Sequence, residues 1–412
     1  MALLRDPGTI RSRCAAILRA ADDNVSEYFT IDRRALPAVA ARVVALTLKR
    51  FPDLNIPYHS RWRHFEAGDI DRKPVLDALL QGRSVADAAR ARFDLTVVSV
   101  LLDAGAGTSW RYTEPGTDLV LQRSEGLGVA TWHGFLNGTF SATAGDPLRA
   151  DAAVLEHLDV STLRTLLQSS PANPVVGLEG RTGLLVRLGA ALREEGARVG
   201  GNARPGLLYD RLTDNGTRTE VSAAAVLGEV LRVLGPIWTA GSRVQGLPAG
   251  DVWPHRWAGD ATGRGAGADH DPTTGGYVPF HKLGQWLSYS LLEPLQWAGV
   301  RVTDLDELTG LPEYRNGGLF IDGGVIVPRD PRALTRSWKA QDDFIVEWRA
   351  LTVALLDELA VRVREQLGKT AEELPLACIL EGGTWAAGRE IASELRPDGA
   401  PPLKIESDGT LF

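Results

Sequence analysis

Apolar residues return at helical spacing along most of this chain, and that recurrence restricts the fold more than any motif does. Ile10, Cys14, Ile17 and Leu18 share one face of "TIRSRCAAILRAADD", and Val39, Val43 and Leu46 do the same in "LPAVAARVVALTLKRF". Steps of three and four residues mark an amphipathic helix. "VLDALLQGRSVADAARARFDL" reads as two helices broken at Gly82. "LTVVSVLLDAGAGTSW" is apolar nearly all round as far as Asp103, which predicts a buried helix ending at Gly105 or Gly107. Further helices are predicted over 150–168, 221–233 and 278–298. A long one is predicted over 331–367, carried by Phe344, Val346, Trp348, Leu351, Leu355 and Leu359.

Strand signals are few. "GLFIDGGVIVP" has the form of a hairpin turning at Asp322-Gly323, and "LKIESDGTLF" repeats it at Asp408-Gly409. Glycine- and proline-rich loops are expected at 169–183 and 258–276, the second with the polar, glycine-laden composition of an active-site lid. The expectation is a mainly α fold with small β-hairpins near 317–328 and 403–412, in one integrated domain over 1–412. Within it, a division into an N-terminal helical subdomain 1–148 and a C-terminal catalytic subdomain 149–412 is open.

Composition narrows the partners. A net charge of -7 argues against a general affinity for nucleic acid, whose backbone requires a surplus of Lys and Arg. No run approaches the ~20 apolar residues of a membrane span, and the N-terminus lacks the apolar core of a secretory signal, so a cytoplasmic protein is expected. Cys14 and Cys378 are far apart in apolar helical patterns and read as buried thiols. His59 and His64 are five residues apart with no Cys or further His beside them, so no metal is expected. Arg far outnumbers Lys, which occurs only at Lys49, Lys73, Lys282, Lys339, Lys369 and Lys404. A lysine in a polar-aromatic motif is therefore conspicuous.

Four places could carry chemistry. Asp103 closes a very apolar helix, where a carboxylate needs partners; a backbone-bonded helix end and a substrate-binding group are evenly weighted. The glycines around it form no nucleotide loop, lacking the third glycine of the dinucleotide fingerprint and the lysine of a P-loop. "IPYHSRWRHFEAGDIDR" offers Arg61 or Arg63 for an oxyanion, against a solvated basic-aromatic face. His133, between Trp132 and Phe135, reads more readily as a core residue than as a ligand contact. In the fourth, Lys282, Gln285 and Trp286 fall at i, i+3 and i+4 on one helix face beside His281. A short helix "TDLDELT" then leads to consecutive Glu313, Tyr314 and Arg315, so helix and loop could line one pocket.

That last pattern resembles the queuosine-salvage nucleotide N-glycosylases. In that family a helix opening with an aromatic, Lys and then Gln precedes a Leu-Thr and an Asp-Tyr-Arg motif bearing the catalytic carboxylate. Lys282 and Gln285 match the Lys and Gln, Leu308-Thr309 the Leu-Thr, and Glu313-Tyr314-Arg315 the Asp-Tyr-Arg. Glu stands in place of Asp, and Asn-Gly-Gly follows where the family has an apolar residue and Pro. The likeness implies a helical, DNA-glycosylase-like fold. A resemblance covering nearly the whole chain is to the fourth-protein family of the uracil-catabolism (URC) pathway of fungi and bacteria. Its carriers are "LLDAGAG", "SWRY", "HKL", "QWL", "YSLLEPL", "LTGLPEYRNGGL" and the terminal "SDGT". That pathway runs from uracil through its nucleotide and a ribosylurea-type intermediate to urea.

Together the two resemblances imply hydrolysis of a ribose–nitrogen bond in a small ribosylurea or uracil-nucleotide substrate, with no metal or other cofactor. Such a bond breaks through an oxocarbenium-like state, which a carboxylate beside C1′ stabilises. Glu313 is the expected carboxylate, with Lys282 and Asp103 as its catalytic companions. Lys282 suits a 5′-phosphate or a carbonyl on the departing base, and Asp103 suits ribose hydroxyls or the base edge. Tyr314 and Arg315 would position Glu313 or grip the ligand, and Trp110 or Trp286 would stack on it. His281, Gln285, Arg61 and His133 complete the expected substrate-binding set. The rivals are a non-catalytic protein channelling an intermediate to a partner enzyme and, last, an amidohydrolase, for which neither metal nor triad spacing is present.

Overall fold

The computed structural model describes residues 1–103, 105–200, 203–239, 241–259 and 273–406. Among these, the α-helices in chain order are α1 (Pro7–Asp22), α2 (Leu36–Arg50), α3 (Lys73–Leu79), α4 (Val85–Leu101), α5 (Arg123–Leu136), α6 (Ala152–Leu155), α7 (Val160–Leu166), α8 (Leu178–Val199), α9 (Leu207–Thr213), α10 (Ala223–Leu234), α11 (Lys282–Trp297), α12 (Tyr314–Asp322), α13 (Asp343–Leu367), α14 (Leu376–Ile379) and α15 (Trp385–Leu395). Strands are two or three residues long and pair only in twos. The fold is mainly α, as the periodicity implied.

The chain forms two compact units. The first takes Met1–His59, Gly241–Gln285 and Asp304–Glu406. Its centre is α13, buried without interruption from Phe344 to Leu356, as a helix apolar on every side must be. Helices α1 and α2 pack on α13, and α12 packs on α15. Between α14 and α15 the helix widens into a π turn, Leu380–Thr384, which carries Glu381. Gly383 lets this turn close on α2, because a Cβ there would lie 2.6 Å from the Val43 carbonyl oxygen. Small strand pairs fasten the rim: Phe29–Ile31 runs antiparallel to Ile326–Pro328, and Val252–Pro254 antiparallel to Tyr277–Pro279.

The second unit takes Ser60–Ala240 and Trp286–Thr303. Helices α3 to α10 belong to it. The break at Gly82 separates α3 from α4 as expected. Asp94 of α4, wholly buried, ties this unit together by accepting from Arg204 Nε at 2.7 Å, Gly206 N at 2.7 Å and Ala150 N at 2.8 Å.

Several expectations are corrected. The hairpin foreseen at 317–328 is instead α12, followed by a strand whose partner is distant in sequence. Glu313 caps this helix, and Asn316 to Phe320 are buried without interruption. Gly317 is a close contact point, since a methyl group there would overlap the Trp348 indole. At the C-terminus, Lys404–Glu406 pairs in parallel with Ser337–Lys339, not with its own continuation. The Asp408-Gly409 turn and residues 260–272 of the expected lid lie outside the described residues. The long helix starts at Asp343, because Pro331–Thr335 forms a 3-10 turn and Ser337–Lys339 a strand before it. Helix α4 stops at Leu101, ahead of both candidate glycines, and α8 begins at Leu178, inside the expected 169–183 loop. The short helix "TDLDELT" is a single 3-10 turn, Leu305–Glu307.

Candidate functional site

In the first unit the chemistry gathers at the start of α11. His281, in the left-handed region at φ 46°, turns the chain into the helix, and its buried ring is 2.7 Å from the Leu4 carbonyl through Nε2. Burial pushes the His281 imidazole below its ordinary value, so the neutral ring belongs to this turn. Asp251 caps the helix: its Oδ2 accepts the Lys282 backbone N–H at 3.0 Å, and its Oδ1 accepts the Trp253 indole N–H at 2.7 Å. Arg349 of α13 answers it with Nη1 and Nη2, each 2.7 Å from a carboxylate oxygen, and stacks its guanidinium 4.1 Å over the Phe280 ring. Lys282 thus starts a helix whose first turn is held by a buried ion pair.

One turn on, Gln285 is wholly buried and its Nε2 donates to Thr309 Oγ1 at 2.9 Å. The other end of this amide, Oε1, is buried with no hydrogen-bond partner among the described residues. So is Oδ1 of Asn316, whose Nδ2 donates to the Leu311 carbonyl at 3.2 Å. Buried polar atoms are nearly always satisfied. Two unsatisfied acceptors therefore lie on the Lys-Gln helix and in the Glu-Tyr-Arg-Asn segment.

Glu313 has a double task. Its Oε2 accepts the Arg315 N–H at 2.7 Å and its Oε1 the Asn316 N–H at 2.6 Å, so it is the N-cap of α12. Shorter side chains usually do this work, and Glu reaches it by folding back. Burial pushes its carboxyl above the ordinary glutamate value, against those two N–H groups and the positive charges of Lys282 and His59. Tyr314 and Arg315 are tied to the C-terminal segment: the phenol donates to Ile405 O at 3.4 Å and Arg315 Nη1 to Gly399 O at 2.9 Å. Burial, with Glu313 adding, pushes the Tyr314 phenol up to about 12.

His59 is held by Glu381 of the π turn. Its Nδ1 is 2.8 Å from Glu381 Oε2, while Arg50 Nη2 donates to Glu381 Oε1 at 2.9 Å. Burial works against the Glu381 charge, and the His59 hydrogen bond and the Arg50 charge overcome it, holding the carboxyl below its ordinary value. The His59 backbone N–H donates to Ala377 O at 3.0 Å, which seats it on α14.

The remaining expected site residues lie in the second unit. Arg61 is wholly buried: Nε donates to Ser99 Oγ at 2.7 Å, and Nη1 meets Asp103 Oδ1 at 2.7 Å and His64 Nδ1 at 2.9 Å. Burial lowers the Arg61 value, with Asp103 opposing. It also brings Arg181 down to about 10, the Arg61 charge adding and Asp103 opposing. Asp103 is therefore the counter-ion between two buried guanidiniums. Trp110 is a core residue whose indole donates to Leu167 O at 2.8 Å. His133 Nε2 is 2.9 Å from Glu114 Oε1, and the buried Arg72 donates to the same Glu114 oxygen from Nε at 2.7 Å. Trp286 is nearly buried, its ring 5.8 Å from that of His64. Among the described residues no three His, Cys, Asp or Glu side chains group as a metal site, and no helix is long and apolar enough to cross a membrane.

Lys282, Gln285 and Glu313 belong to the first unit and Trp286, grouped with them by spacing, to the second; the motifs gave no sign of Asp251, Arg349 or Glu381. Arg349 carried a signal, being a charge inside a helix apolar on all sides; Asp251 sits in no recognisable pattern.

Residues 3–412 match the family described as "Protein of unknown function (DUF1688)", and the chain belongs to it. Protein urg3 of Schizosaccharomyces pombe is 37% identical over 411 residues, 98% of this chain and 96% of that protein. Uracil catabolism protein 4 of Lachancea kluyveri is 39% identical over 385 residues, 87% of this chain and 85% of that one. The resemblance drawn from motifs to the uracil-catabolism family is thereby shown. That to the queuosine-salvage glycosylases remains a likeness of motifs.

Proposed function

We propose that this chain works in uracil catabolism and hydrolyses a ribose–nitrogen bond in a ribosylurea or uracil-nucleotide intermediate. The observation that carries this reading is the setting of Glu313, a carboxylate drawn out of water at a helix N-terminus with the charges of Lys282 and His59 acting on it. A carboxylate so held meets the positive charge that develops at C1′ with no reorganisation and can take a proton from the attacking water. Lys282 then faces the ligand's phosphate or carbonyl, and the unpartnered Gln285 and Asn316 oxygens accept its N–H or O–H groups. Ureido nitrogens and ribose hydroxyls are donors of that kind.

The test is to incubate the purified protein with uracil nucleotides, ribosylurea and ribosylurea phosphate and follow urea, base and ribose products by mass spectrometry. Release of urea or base supports the reading. A second reading, a binder that hands an intermediate to a partner enzyme, is favoured by one observation: both Glu313 oxygens already accept backbone N–H groups. It predicts calorimetric binding of one of these compounds without any product.

A further inference from the structure

In the second unit, α8 carries a cleft on its outer face. Leu184, Leu185, Leu188 and Leu192 turn inward and are buried, while Arg187, Ala190, Ala191, Glu194 and Ala197 line the cleft at helical spacing. Pro236 faces them from the 3-10 turn Gly235–Ile237 that follows α10. Between its charged residues the helix presents only the methyl groups of alanines, so a space of about 430 Å³ stays open between helix and turn. That volume lies within the range of small-molecule sites.

The charges along this wall are not equally answered. Arg193 donates from Nε to Glu156 Oε1 at 2.6 Å, and Glu194 pairs with Arg198. Arg187 has no carboxylate partner among the described residues; its Nε donates to the Ile237 carbonyl at 2.8 Å, which sets the guanidinium against the turn. Burial alone acts on this guanidinium, lowering its value, and no acidic group opposes it. We propose that the cleft binds a small organic carboxylate, with its oxygens on the Arg187 Nη groups and its apolar body over Ala190, Ala191 and Pro236. The parallel N–H groups of a guanidinium match the two oxygens of a carboxylate. Arg187 supplies a single unanswered charge and Glu194 lies on the same wall, so a monoanion fits better than a phosphate dianion. The site uses no residue assigned to the Glu313 chemistry and does not rest on the proposed function.

The experiment titrates the full chain by calorimetry with benzoate, benzamide, acetate and phenyl phosphate. Benzoate should bind about tenfold or more tightly than benzamide, which lacks the charge, and than acetate, which lacks the apolar body. Arg187→Gln keeps a donor for the Ile237 carbonyl and should remove the advantage of benzoate over benzamide. Ala190→Phe, at an exposed position, should fill the cleft and abolish benzoate binding. Thermal melts check the fold of both variants, and if Arg187→Gln does not fold, Ala190→Phe decides. No binding of benzoate by the wild type, or unchanged binding in either folded variant, overturns the site. Tighter binding of phenyl phosphate than of benzoate overturns the carboxylate assignment.

Discussion

Arg349 and Asp251 form a buried two-pronged ion pair, each of Nη1 and Nη2 2.7 Å from a carboxylate oxygen, and the same carboxylate caps the helix that presents Lys282. Core and site are thus joined by one salt bridge. Arg349 stands on the most buried helix of its unit, and Lys282 on a helix start that would otherwise leave its first N–H groups unsatisfied.

Arg349→Met should therefore destabilise strongly, by about 3–5 kcal/mol, because it leaves the Asp251 charge buried without its counter-ion. Replacing both, with Asp251→Leu added, should recover part of that loss. Urea unfolding of the two variants checks this; equal stability of Arg349→Met and wild type would mean the pair does not hold the helix.

The same pair makes stability depend on acid. Burial pushes the Asp251 carboxyl up, but the Arg349 charge and its hydrogen bonds prevail and take it from 3.8 down to about 2. A folded value below the unfolded one adds stability that is complete above the unfolded value and is lost as pH falls towards the folded one. Unfolding midpoints should thus drop between about pH 4 and pH 2, and the Asp251→Leu, Arg349→Met double variant should lose less over that span.

Gly317→Ala forces a methyl group into the Trp348 indole. Overpacking of this kind costs about 1–3 kcal/mol, visible as a lower melting temperature. A flexible joint at this glycine would instead be stiffened and stabilised by alanine.

Gln285→Leu removes an amide that has one hydrogen bond and one orphaned end. Folding should suffer by no more than about 1.5 kcal/mol. Affinity for a ureido or ribose ligand should fall about tenfold or more by calorimetry, the loss of one buried hydrogen bond. Unchanged affinity would assign the orphaned oxygen no part in recognition.

These variants also show where the sequence was legible. Helices with one continuous apolar face, such as α1, α2 and α10, could be placed from periodicity because a single amphipathic pattern dictates them. The Leu319 to Ile326 stretch misled because Asp322-Gly323 between apolar runs fits a two-residue turn as well as a helix end. The choice is made by Glu313 upstream and Trp348 far downstream, and neither lies in the local pattern. Lys282, Gln285 and Glu313 were legible because their motif is short in sequence. Asp251, Arg349 and Glu381 act through partners 31 to 322 residues away, a pairing only the fold reveals. Asp103, readable as a buried carboxylate, found its partner in Arg61, a residue chosen for a different reason.

The central claim is that Glu313 acts on C1′ of a ribosyl ligand, and product analysis of wild type beside Glu313→Gln tests it most directly. Gln keeps the side chain's length but cannot accept both cap N–H groups, so a stability loss of about 1 kcal/mol is expected and is read separately by thermal melting. On ribosylurea or its phosphate, wild type should release urea and ribose or ribose phosphate, with Glu313→Gln slower by about 10²–10³-fold. Equal rates in a folded Glu313→Gln variant, or no product from the wild type on any of the substrates, would contradict the account.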